Sequence, residues 1–271
     1  MENHKKPRGR PKSLFKESSA GTLQSLDRAL ETLTTLATLE RCTLSDLSRE
    51  TGVPTATTHR ILTTLSNRGY VSFDEQRQEW MIGIEAYRTG ASYLNRNSVV
   101  EIGRPILRRL MRDSGETANM AMPDGSHVVF VNQIETSNPI RAFFPPGART
   151  PMYASGTGKA LLAELSQDAL GRLTSDLTFE PYTDRTHRST ASLFEDLTLI
   201  RQRGWSFDDE ERYEGMSCTG AAIQNQFGVA CAGISVSGPT ARINKANAAY
   251  FGEMVLEAAH EITLAIGGQP R

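Results

Sequence analysis

Apolar residues recur every three or four positions over the first third of the chain and alternate further on, which predicts helices first and strands later. From about Leu23 to Leu39, Leu23, Leu26, Leu30, Leu33 and Ala37 form a narrow stripe suited to a packing seam. Leu44 and Leu47 share a face of a short second helix, Gly52 permits a reversal, and Pro54 pre-sets φ for the next helix. On that third helix Thr58, Ile61, Leu62 and Leu65 recur at inward spacing. Thr57, Arg60 and Thr64 line the opposite face, with Thr55 and His59 near its start. After Gly69, read as a helix C-cap, Tyr70, Val71 and Phe73 lead into the polar turn DEQRQ, and Trp80 and Met81 return as a two-stranded wing. The segment from residue 42 to 82 is therefore a winged helix-turn-helix.

Ile84, Tyr87, Ala91 and Leu94 mark a linker helix, and Val99, Ile102, Ile106, Leu107 and Leu110 mark another after a polar break. From Glu116 the period changes. TANMAM, a PDG turn, HVVFVNQIE and PIRAFF read as strands of a meander. A helix is expected after GTGKALLAEL and another around Ser189 to Arg203, with strands near WSFDDE, GMSCTGAAIQN and VACAGISVSG. A long final helix would carry Ile243, Asn247, Tyr250, Met254, Ala258 and Ile262 along one face. The fold class is α+β. Its expected parts are a basic arm over 1–20, the winged helix-turn-helix over 21–82, a linker helix over 83–96, and an α/β domain over 97–271. A length of 271 residues with 38% apolar content suffices for two cores.

The third helix has the chemistry of a major-groove reader. Arginine donates two hydrogen bonds to a guanine edge, and threonine offers a hydroxyl plus a methyl group for thymine. His59 can donate to base or phosphate, and Arg77 at the wing tip would meet phosphate. Five threonines between 55 and 64 are a poor choice for helix propensity alone. The candidate DNA-contacting set is Arg8, Arg10, Thr55, Thr57, Thr58, His59, Arg60, Thr64 and Arg77, Thr58 being the member that periodicity also places inward. Arg8 and Arg10 come from the amino terminus, where Lys5, Lys6, Arg8, Arg10 and Lys12 stand against Glu2 for a net +4. Arg8-Gly9-Arg10-Pro11 resembles an AT-hook core, which lays two arginines in the narrow minor groove.

Charge over the whole chain is −1, but residues 1–82 carry +2 and the remainder −3. That asymmetry leaves phosphate contacts to the first part. Membrane spans are excluded because no run approaches the roughly 18 apolar residues required, and a cytoplasmic location is expected. Cys42, Cys218 and Cys231 show no metal-binding spacing, nor do His4, His59, His127, His187 and His260, so neither a metal nor a cofactor is implied.

Ser155-Gly156-Thr157-Gly158-Lys159 opens a helix, whose free N–H groups and positive dipole end suit a carboxylate. It is not a nucleotide-binding loop: the first glycine of GxxxxGK would be Tyr153, and the following hydroxyl position is Ala160. Ser235 and Ser237 lie two apart on a strand, sharing a face with Gly233, while Ile234 and Val236 point away. Ordinary close packing of helix on sheet would also select such small residues. An enzymatic alternative would use Cys218 as nucleophile with His127 or His187 as base, but no nucleophile elbow or cysteine-protease signature accompanies it, and no catalytic residue is assigned.

Across residues 20–268 the chain resembles the IclR family of bacterial transcription regulators. The resemblance is carried by GVPTATTHRILTTLSNRGYV, PMYASGTGKALLA, RGWSFDDEE with CTGAAI, and ISVSGPTARI. It implies a winged helix-turn-helix joined by a linker helix to a GAF-like effector domain with a curved antiparallel sheet. Dimers or dimers of dimers, hence a homotetramer, on palindromic operator DNA are implied too, acting as repressor or activator. By resemblance to members that bind glyoxylate or pyruvate, the effector pocket comprises amides of Gly156 and Thr157, then Asp208, Cys218, Ser235 and Ser237, with Met216 as apolar cover. Glyoxylate is the expected ligand, with pyruvate or a larger carboxylic acid as alternative. Departures from the family pattern are Thr157 in place of Ala, Thr150 in place of Leu, and Phe143 and Phe144 on a wall elsewhere lined by Leu or Met.

Overall fold

Short polar caps and one apolar seam assemble the first part of the chain. The computed structural model describes residues 23–94, 98–175 and 177–270, which divide into two units at Tyr93 and Leu94. The first contains α1 (Gln24–Leu39), β1 (Arg41–Cys42), α2 (Leu44–Thr51), α3 (Thr55–Asn67), β2 (Val71–Asp74), β3 (Glu79–Ile82) and most of α4 (Ile84–Leu94). Thr43 caps α2: its Oγ1 accepts from the Asp46 N–H at 3.2 Å and its hydroxyl donates to Asp46 Oδ2 at 2.7 Å. Gly52 ends α2 at φ +64°, a conformation other residues adopt at a cost, and α3 starts three residues later. Leu36, Leu47, Leu62, Val71 and Trp80 form the core that locks α1, α2 and α3 to the sheet.

Two expectations change here. The wing sheet has three strands, in the order β1-β3-β2, because Arg41 and Cys42 pair with Met81 and Trp80. On α1 the buried positions are Thr32 and Leu36, whereas Leu23, Leu26 and Leu30 are exposed. The stripe predicted as a seam therefore lies mostly outside this unit's core.

The second unit begins with α5 (Ser98–Ser114), followed by β4 (Thr117–Asp124), β5 (His127–Ile134) and β6 (Arg149–Pro151). Then come α6 (Gly156–Ala163), α7 (Gln167–Ser175), α8 (Thr190–Arg203), β7 (Ser206–Asp209), β8 (Met216–Gln224), β9 (Ala230–Pro239) and α9 (Ala248–Ala265). The six strands form one antiparallel sheet in the order β6-β5-β4-β9-β8-β7. One face packs on α5 and α9 through Leu107, Met120, Ile223, Ile234, Val255 and Ile262. The other packs on α6 and α8 through Val128, Phe130, Leu161, Leu193 and Leu197. Covered on both sides, β8 and β9 are runs of small and apolar residues.

PIRAFF, residues 139–144, is not a strand. Prolines on either side remove N–H donors, and side chains hold the segment instead. Thr117 Oγ1 donates to Ala142 O at 3.1 Å, and Arg242 donates to Ile140 O at 2.7 Å while gripping the buried Glu116. The edge position passes to β6, which pairs Thr150 with Val128. The stripe predicted for α9 holds at Ala258 and Ile262 and fails at Tyr250. Phe251, Val255, Ala258, Ala259 and Ile262 are buried, Tyr250 is exposed, and Ile243 and Asn247 precede the helix.

Candidate functional site

The solvent face of α3 is centred on Ala56, His59, Arg60, Thr63 and Asn67, all exposed. Thr57, half-buried, and Thr64, exposed, flank that ridge and border a groove with Gln24, Ser25 and Arg28 of α1. Thr55 is exposed at the helix start, its Oγ1 3.1 Å from Ser48 Oγ, and Thr64 donates back to Arg60 O at 2.8 Å. Arg77 is exposed in the β2–β3 turn, where Asp74 Oδ1 accepts the N–H groups of Gln76 and Arg77. Thr58 must be removed from the candidate set. It is fully buried, and its hydroxyl bonds Val53 O and Pro54 O, anchoring the start of the helix from inside. Arg8 and Arg10 lie outside the described residues.

In the second unit, α6 lies directly on the sheet because glycine occupies the points of closest approach. A Cβ on Gly220 would sit 2.7–2.8 Å from backbone atoms of Gly156 and Thr157, and one on Gly158 would be 2.4 Å from Met152 Cα. Ser206 tightens the same joint, donating to Gly156 O at 2.5 Å and Gly220 O at 3.2 Å. Ser155 caps the helix by accepting from the Gly158 N–H at 3.2 Å. The amides of Gly156 and Thr157 are left for other partners, and Cys218 Sγ lies beneath the first of them.

A cavity with about 360 Å³ of atom-free space, its mouth included, opens at this helix start. Gly156, Thr157, Asp208, Met216, Cys218 and Ser237 line it together. Cross-strand pairing explains the convergence, since Asp208 sits opposite Cys218, and Cys218 opposite Ser237. Ser237 donates to Cys218 Sγ at 3.2 Å and accepts from Asn119 at 3.2 Å. Ser235 is buried on the same strand face but is not part of the lining. Thr150 and Phe144 are in the wall, whereas Phe143 is exposed and not in the lining. Arg212 and Tyr213, which sequence reasoning did not include, complete one side.

Lys159, one helical turn into α6, is wholly buried. Its ammonium spends all three donors, on Asp196 Oδ2 at 2.6 Å, Phe207 O at 2.6 Å and Glu211 Oε1 at 2.5 Å. His187 Nε2 lies 3.5 Å from Asp196 and 3.8 Å from Glu211. His187, Asp196 and Glu211 bring their ligand atoms within 4.8 Å of one another, a spacing that suits a metal ion, yet the lysine supplies the cation there. Burial alone would push the Lys159 ammonium down, but Glu211 and Asp196 outweigh it and hold the group above its ordinary range. Asp196 falls to about 2 despite burial, through its bonds to His187 and Lys159.

Among the described residues, Asp208 has no ion-pair partner. Burial pushes it up to about 6 against the pull of Lys159, while its Oδ1 accepts from the Glu211 N–H at 2.8 Å. Between its ordinary 3.8 and about 6, the folded chain keeps a proton that the unfolded chain has released. This group's contribution to stability therefore declines as pH rises through that window, by roughly 3 kcal/mol in all. Asparagine keeps the acceptor without the charge. The stability of Asp208→Asn relative to wild type should rise from pH 4 to pH 7 in urea unfolding of the effector unit, and a flat difference would contradict the assignment.

Burial also pushes the Cys218 thiol up to about 11, so near neutrality it is an uncharged thiol and a poor nucleophile. The arrangement can hold a small anion or polar molecule against a helix start.

Two family models match the chain: the IclR helix-turn-helix domain over residues 25–75 and the bacterial transcriptional regulator IclR C-terminal over residues 91–264. The HTH-type transcriptional regulator BhcR of Paracoccus denitrificans is 44% identical over 266 residues, covering 98% of this chain and 94% of its own. The transcriptional repressor IclR of Escherichia coli is 40% identical over 264 residues, covering 96% of each. These relatives are transcriptional regulators, not enzymes. The crystal structure of Thermotoga maritima IclR superposes with a TM-score of 0.74 at 23% identity, over 90% of this chain and 98% of that one, and shares the fold.

Proposed function

The chain belongs to the IclR family of bacterial transcriptional regulators, DNA-binding proteins with a carboxyl-terminal ligand-binding domain, and from that premise we propose that its effector is a small oxo acid, glyoxylate first. The observation that carries this reading is the convergence of Gly156, Thr157, Asp208, Cys218 and Ser237 on one small cavity at the start of α6. The ligand's carboxylate takes the helix-start amides, Asp208 meets its carbonyl or hydrate end, and Met216 covers it. The cavity is tightly walled, which favours an acid of two or three carbons.

On the DNA side, Arg60, Thr57, Thr64, Thr55 and His59 read base edges in the major groove, Arg77 meets phosphate, and Arg8 and Arg10 lie in the minor groove. The protein acts in the cytoplasm as a homodimer or dimer of dimers on a palindromic operator. Effector binding shifts the population between states of different operator affinity. Among the described residues, no helix is long and apolar enough to cross a membrane.

Electrophoretic shifts with DNA upstream of the protein's own gene, with and without glyoxylate, pyruvate and larger oxo acids, test both halves. A retarded band whose midpoint moves with glyoxylate is expected. Absence of calorimetric binding at millimolar glyoxylate transfers the reading to pyruvate or a larger acid.

A further inference from the structure

Arg212 lines the pocket with a charge that its neighbours leave unanswered. It follows β7 in the connection to β8, and its guanidinium carbon lies 3.5 Å from the Tyr182 ring centroid and 5.4 Å from that of Tyr213. Stacking on Tyr182 fixes the plane of the group but provides no acceptor. Nε and Nη1 are buried and, among the described residues, have no hydrogen-bond partner.

Each of the four acids that precede it is engaged elsewhere. Asp208 accepts from the Glu211 amide, Asp209 pairs with Arg185 and Lys245, Glu210 with Arg185 and the Gly215 amide, and Glu211 with Lys159. A guanidinium does not shed its proton inside a protein, so the charge persists and its unmet donors require an acceptor from outside the fold. Thr157, whose hydroxyl is itself buried and unpartnered among the described residues, lines the same cavity at the start of α6.

We propose that Arg212 is the counter-ion of the effector's carboxylate, so that this pocket selects anionic oxo acids over neutral molecules of the same shape. The ligand's carboxylate is held between the guanidinium and the Gly156–Thr157 helix start. This inference rests on reading the cavity as the effector site, and it adds the residue that sets the charge requirement.

Calorimetry on the full chain with pyruvate and pyruvamide, which share a shape and differ in charge, is the test. Wild type should bind pyruvate at least roughly 10-fold more tightly than pyruvamide. Arg212→Gln should weaken pyruvate by roughly 10- to 100-fold, leave pyruvamide unchanged and so erase the discrimination, while Arg212→Lys restores part of it. Equal weakening of acid and amide would overturn the counter-ion role and leave the effector reading standing. Wild type that binds neither pyruvate, glyoxylate nor the amide, yet still binds DNA, would overturn both.

Discussion

Replacing Lys159 with methionine is expected to destabilise the effector unit by about 3 to 5 kcal/mol, the range for stranding buried charge by removing one partner. Methionine conserves most of the volume, so the loss is electrostatic rather than a cavity effect. Asp196 and Glu211 would face each other beside His187 with no ammonium between them. Their carboxyls would take up protons in the folded variant that the unfolded chain releases. The deficit should accordingly be largest near pH 8 and shrink toward pH 5. Adding Asp196→Asn and Glu211→Gln to Lys159→Met should recover much of the stability, since neither stranded carboxylate then remains. Urea unfolding across that pH range measures all three effects, and a Lys159→Met protein of wild-type stability at pH 8 would refute the account.

Arg60→Ala should lower specific operator affinity by about 1 to 3 kcal/mol and relax base preference at one position of each half-site. Arg60 is exposed on α3, and its side chain makes no ion pair or hydrogen bond among the described residues, so folding should be untouched. Binding to unrelated duplex DNA should fall far less, because that affinity is carried by phosphate contacts spread over the surface. Fluorescence anisotropy with operator and scrambled duplexes at one salt concentration separates the two. Unchanged operator affinity would mean that the side chain does not reach the bases.

The two faces of α3 were legible because a period of about 3.6 runs through its thirteen residues, and the four-residue wing strands because a polar turn separates two short apolar segments. Thr58 shows where periodicity and residue type disagree: its chemistry suits a groove, but Val53 and Pro54 take its hydroxyl. For α9 the sequence offers two apolar stripes one residue apart, through Tyr250 and through Phe251, and only packing against β8 decides for the second. In PIRAFF, strand propensity lost to contacts from Thr117 and Arg242, which are remote in the chain. The pocket was readable where motifs place residues on one helix start or one strand face, as with Gly156, Thr157 and Ser237. Lys159 was visible only as the end of SGTGK. Its partners lie 37 and 52 residues away, a distance no local pattern spans. Arg212 was obscured by the acids beside it, which look like its partners and are not.

The sheet order also governs when the two parts of the molecule can form during synthesis. Strand β9 is hydrogen-bonded on one side to β4, which precedes it by more than a hundred residues (Thr117 opposite Ser237), and on the other to β8. A nascent chain cannot join those halves until β9 has left the ribosome, whereas the DNA-reading unit draws its contacts from the first ninety-odd residues. Emerging regulators thus own a finished reading head before they own a sensor, and a message cut short ahead of residue 230 would yield a head with no means of hearing the metabolite.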